Sequence, residues 1–132
     1  MGMPAAKQGD KIVATDVHVL LVPAPPGPPV PTPFPLPFSG PLSAGLSANV
    51  KIGGLPAATQ GSGADNLPPH VPPFPFQAPP SNHATVQAGS RTVRINGKGA
   101  ARHGDPAQTC NEIPPGVPIG QVVAVGTVSI GG

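Results

Sequence analysis

Three times in 132 residues the chain writes the same turn. Gly2-Met3-Pro4-Ala5-Ala6-Lys7-Gln8-Gly9, Gly54-Leu55-Pro56-Ala57-Ala58-Thr59-Gln60-Gly61 and Gly97-Lys98-Gly99-Ala100-Ala101-Arg102-His103-Gly104 share the pattern Gly-x-(Pro/Gly)-Ala-Ala-x-x-Gly. Internal self-similarity marks a repeat architecture. The second and third copies follow alternating runs, Asn49–Gly54 and Thr92–Gly97, which read as half-buried strands ending in Gly-Gly and Asn-Gly turns. The first copy has no strand before it. Its counterpart lies at the other end of the chain: Thr127–Gly132 is the same strand, and it stops where the turn should begin. Gly132 and Gly2 therefore share one repeat position. The C-terminus is expected to meet the N-terminus and complete a third unit, giving a closed, pseudo-threefold object. Closure also removes exposed sheet edges.

The 23 Pro and 18 Gly disfavour helix. Charged residues make up 9% and hydrophobic residues 38%, a balance unlike that of disordered chains. The reading is one all-β domain over residues 1–132. Its core is poor, with no Trp, no Tyr and 4 Phe. Such small cores need support from a disulfide, a metal or a partner. Cys110 is the single cysteine, so an internal disulfide is impossible. All the Phe residues lie in two Pro-rich insertions, about 22–41 and 67–80. These read as stiff polyproline II arms pressed against strand faces. The alternative is an exposed Pro-rich adaptor bound by Pro-recognising partners.

The formal net charge of +2 arises from Arg91, Arg94, Lys98 and Arg102, since the first half balances. No stacking aromatics accompany these cations, so a solvated face or polar docking edge is expected, and no nucleic acid. Met1–Asp10 lacks a basic region followed by an apolar run, and Val17–Val22 is too short to span a bilayer. Synthesis in the cytoplasm is expected, with export only by a carrier.

Repeat register sorts the histidines. His18 follows Gly9 by nine residues, His70 follows Gly61 by nine, and Cys110 lies in the corresponding segment after Gly104. Threefold symmetry would gather the three near the axis. His83, just before the alternating run Ala84–Ala88, is expected to point inward at the same end. His103 replaces Gln8 and Gln60 inside the turn and is left out. His18, His70, His83 and Cys110 make a closed tetrahedral shell for structural zinc, or for iron in its place. Asp10 and Asp105 follow repeat glycines and read as caps on backbone N–H groups. A cysteine nucleophile would need a contacting base, an orienting third group and a cleft. No phosphate loop, nucleophile elbow or helical zinc-protease motif is present. The chain is expected not to be an enzyme.

Met3–Asp10 and Gly89–Asp105 resemble the proline-alanine-alanine-arginine (PAAR) repeat family. Gly99 stands where the motif has Pro, and only the third copy carries the Arg, Arg102. The resemblance implies a small β-cone with an apical metal held by three His and one Cys. It implies that one such tip protein caps the trimeric β-helical spike protein of a contractile injection system: type VI secretion, a phage tail or an extracellular device. It would sharpen the spike for puncture, touch the target membrane transiently and leave the cell with the spike. Effector cargo would bind separately.

Overall fold

Alanine is the smallest side chain that still fixes a backbone, and three chain segments meet where the repeat places Ala-Ala. In the computed structural model, which describes residues 2–131, Ala6 N–H donates to Ala101 O (2.9 Å), Ala101 N–H to Ala58 O (3.0 Å) and Ala58 N–H to Ala6 O (3.0 Å). The three copies thus close a hydrogen-bonded ring. The flanking bridges run in the same cyclic sense: Ala5 with Arg102, Lys7 with Ala57, and Thr59 with Ala100. Ala5, Ala6, Ala57, Ala58, Ala100 and Ala101 are at most 1% exposed. Each turn is capped from within. Asp10 Oδ2 accepts from Lys7 N–H, Ser62 Oγ from Thr59 N–H and Asp105 Oδ2 from Arg102 N–H, at 3.0, 2.9 and 2.7 Å. The glycines before these caps, Gly9, Gly61 and Gly104, sit at φ +90°, +93° and +89°, where a Cβ is strained.

Three two-stranded sheets lie on one side of this ring. The first pairs β1 (Met3–Pro4) with β12 (Ser129–Ile130), as the expected meeting of the chain ends requires; Gly132 itself lies outside the described residues. The others pair β4 (Lys51–Ile52) with β5 (Leu55–Pro56), and β8 (Arg94–Ile95) with β9 (Lys98–Gly99). Their equivalent isoleucines, Ile52, Ile95 and Ile130, pack with Ala5, Ala57 and Ala100. On the other side is a closed barrel in the order β10-β11-β2-β3-β6-β7, built from Pro106–Gln108, Gly120–Val123, Lys11–Val22, Val30–Ala44, Gly63–Asp65 and His83–Val86. Ile12, Phe38, Leu42, Ala64, Val86, Ala107 and Val122 fill it.

The first Pro-rich insertion is not a polyproline arm. Residues 30–44 form a strand registered against β2 from Lys11↔Pro41 to Val22↔Val30. Along β3, Pro31, Pro33, Pro35 and Pro37 are exposed, while Leu36 and Phe38 between them are buried. In an extended strand, alternate N–H groups point to opposite edges. On β2, Val17, Val19 and Leu21 direct their N–H groups away from β3, so the even positions of the two strands bond each other. Every proline of this series then sits where β3 has no N–H to lose. This is the edge placement proline tolerates, and it blunts the edge against other strands. The second insertion carries no strand. It runs beside β2, where Leu21 N–H donates to Pro75 O and Gln77 N–H to Val19 O.

The ring has no room for more than a methyl group. Ala58→Leu is expected to lower stability by about 1–3 kcal/mol through overpacking. Ala44→Leu, on an exposed strand end, should be near neutral. Urea midpoints compare the two, and equal midpoints would refute the packed axis.

Candidate metal centre

Period two decides what β2 delivers to the interior. Ile12, Asp16, His18 and Leu20 are buried, while Lys11 and Thr15 are exposed. Asp16 and His18 therefore share one face. His70 arrives from the loop between β6 and β7, and Cys110 from just beyond β10. Their ligating atoms all lie within 4.8 Å of one another. Asp16 Oδ2 is 3.1 Å from His70 Nε2 and 3.3 Å from Cys110 Sγ. Cys110 Sγ is 3.5 Å from His18 Nε2. The other oxygen of Asp16 accepts from Thr109 Oγ1.

Both imidazoles turn Nε2 inward and are held at Nδ1. Glu112 Oε1 lies 2.9 Å from Nδ1 of His18, and the Asn66 amide nitrogen 3.3 Å from that of His70. The rings meet edge-on, with centroids 4.9 Å apart. His18 and Asp16 are fully buried. A cavity of about 240 Å³, lined by Pro79, Pro80, Ser81 and Glu112, opens onto Cys110 and His18. Burial, reinforced by the Asp16 carboxylate, pushes the Cys110 thiol up from 9.0 to about 12. Two imidazoles, a carboxylate and a thiol converging in a buried site fit a metal ion, and a cation there would offset the buried Asp16 charge and favour the Cys110 thiolate.

Of the residues expected at this site, His18, His70 and Cys110 are brought together. His83 is not. It begins β7, whose inward positions are Ala84 and Val86, so alternation sends His83 outward. There its Nδ1 meets Asp65 Oδ1 at 2.9 Å, with the side chain 46% exposed. Asp16 stands in its place. Its position two residues before His18 on a β-strand was the signal available in the sequence. His103 lies away from the cluster and accepts the N–H of Ala124 at Nδ1 (3.1 Å).

A family model, the PAAR motif, matches residues 37–109, more than half of the 132-residue chain. The chain belongs to the PAAR-motif family. A comparison with curated proteins finds no match. Membership associates this PAAR chain with the spike of contractile injection and type VI secretion systems, a family of structural proteins. The matched span contains two of the three Ala-Ala turns and His70; Asp16 and His18 precede it, and Cys110 follows it directly.

The raised thiol sets the behaviour of the metal-free PAAR chain. The folded state holds the proton that the unfolded state releases near pH 9.0. The stability from a neutral thiol is thus complete below pH 9.0 and is lost as pH climbs toward about 12. Melting curves of metal-free protein are expected to fall across that window. Cys110→Ser should flatten the fall, and an identical slope would show that the thiol is not its source.

Proposed function

We propose that this chain is a metal-stapled tip that caps the trimeric spike protein of a contractile injection system, one chain per trimer. One observation carries the reading: the cyclic hydrogen bonds of Ala6, Ala58 and Ala101 give a single chain three equivalent two-stranded sheets at one end. A homotrimer offers three equivalent docking edges, and a single pseudo-threefold chain can engage all of them. Around Ile52, Ile95 and Ile130, the cross-strand partners Leu55, Lys98 and Met3 form an exposed rim. The rim is mostly apolar, as suits a docking surface. The opposite end carries Asp16, His18, His70 and Cys110, which would hold zinc, or iron with the same donors. A bound ion supplies cross-linking there, tying three segments where few apolar side chains are available.

The proposed role is mechanical. The nucleophile of a cysteine enzyme needs a lowered pKa, whereas burial and Asp16 raise that of Cys110. The Pro-rich adaptor reading has less support, because residues 30–44 are bonded into the barrel. Assembly in the cytoplasm, expulsion with the spike, transient contact with a target membrane and effector cargo belong to the same proposal.

The test is capture by a spike trimer encoded in the same genome. Sedimentation should give one tip chain per trimer. Met3→Glu combined with Leu55→Glu places two exposed charges on the rim, and should leave the melting temperature unchanged. Desolvating those charges is expected to weaken capture more than about 100-fold, equivalent to ~3 kcal/mol. Wild-type capture by the double variant would remove this end from the interface.

A further inference from the structure

The two imidazoles of the cluster are not equally supported. His70 has the neutral amide of Asn66 at Nδ1, 3.3 Å away. His18 has a carboxylate: Glu112 Oε1 lies 2.9 Å from its Nδ1. An imidazole that offers its Nε2 lone pair to an ion carries its proton on Nδ1, and an acceptor there fixes the tautomer and ring orientation. The Asn66 amide nitrogen is itself a donor and cannot take that proton, whereas the Glu112 carboxylate accepts it and makes the His18 ring a stronger ligand.

Glu112 is built into this position. Its N–H donates to Val17 O at 3.0 Å, and the neighbouring Asn111 Oδ1 accepts from Val17 N–H at 2.5 Å. Its Oε1 also takes Val19 N–H at 3.4 Å. These contacts clamp residues 111–112 to β2 on either side of His18. The carboxylate nevertheless keeps 28% exposure, at the cavity beside Cys110, so changing it leaves the barrel core untouched.

We infer that Glu112 is a positioning residue of the metal centre, acting through His18 by its charge as well as its hydrogen bond. This rests on the reading that Asp16, His18, His70 and Cys110 hold an ion. The test uses the full chain with Zn²⁺ and a competing chromogenic chelator, comparing wild type, Glu112→Gln and Glu112→Ala. Gln keeps an acceptor oxygen and loses the charge. Zinc affinity is expected to fall about tenfold in Glu112→Gln and up to about 100-fold in Glu112→Ala. The metal-free melting temperature of Glu112→Gln should match wild type. In ¹H–¹⁵N spectra of the loaded protein, the His18 Nδ1 proton should resonate far downfield and move upfield in Glu112→Gln.

Wild-type affinity or an unmoved Nδ1 proton in Glu112→Gln overturns the role. So does an affinity loss matched by an equal loss of metal-free stability. A wild type that takes up no zinc rejects the metal reading itself, and this inference with it. A loaded wild type with an unaffected Glu112→Gln rejects only Glu112.

Discussion

Stripping zinc from the purified chain is expected to lower its melting temperature by more than about 20 °C. In small peptides a structural zinc contributes roughly 10–16 kcal/mol. For a domain of this size ~1 kcal/mol corresponds to about 3–5 °C, so a contribution of roughly 4–7 kcal/mol suffices. The effect should be large because of what the cluster ties together. β11 leaves β2 at Val13; beyond that point β2 is held on that edge by residues 75–77 and 111–112 instead of a barrel strand. Asp16 and His18 of β2, His70 of the loop between β6 and β7, and Cys110 just after β10 bring three segments to one point. Cys110→Ser and Asp16→Asn should each reproduce most of the loss and reduce zinc below about one equivalent per chain. His83→Gln should change neither zinc content nor melting temperature, since His83 is exposed and bonded to Asp65. If His83→Gln released the metal while Asp16→Asn kept it, Asp16 would have to yield its place to His83.

The repeat made the threefold axis legible. Equivalent residues had to occupy equivalent places, and the ring of Ala6, Ala58 and Ala101 follows from the Ala-Ala pairs alone. The same register led to His18, His70 and Cys110. His83 has no counterpart in the other copies and was placed by the alternating run after it; with Ala84 and Val86 as the inward positions, that alternation puts His83 on the outer face. In residues 30–38 alternation was the missed signal. There Pro at every second position looked like polyproline II, although the residues between are those a strand would turn inward, Phe34, Leu36 and Phe38 among them. Polyproline II and antiparallel β-strand share nearly the same ψ, and the choice between them depends on whether a neighbour accepts the remaining N–H groups. That neighbour, β2, is distant information for a local reading. Glu112 and Asn66 were illegible for a related reason. Each matters only through the imidazole it touches, and those contacts are set by the loops that follow β10 and β6.

Phe38→Ala is expected to cost about 3–5 kcal/mol, the largest loss from truncating any one apolar side chain here. Phe38 is 1% exposed and is the largest fully buried side chain among the described residues. The barrel around it is lined mainly by small groups, Ala64, Ala84 and Ala107 among them. Alanines have no side-chain reach with which to close a void, so the space left by a phenyl ring would persist, and the cost rises with the cavity that remains. The ring also lies 6.1 Å from that of His70, between centroids, so the void would open beneath one residue of the candidate metal centre. Zinc affinity should therefore fall together with stability. Phe38→Leu, which keeps most of the volume, should cost less than about 1.5 kcal/mol. Phe74→Ala supplies the contrast, because Phe74 is 36% exposed and outside the barrel cluster; its effect should stay within about 0.5 kcal/mol. Urea denaturation at saturating zinc and in chelator measures both effects. A Phe38→Ala variant with the parent's midpoint in both conditions would mean that the barrel interior is not the core that holds β2 and β3 to the rest of the sheet.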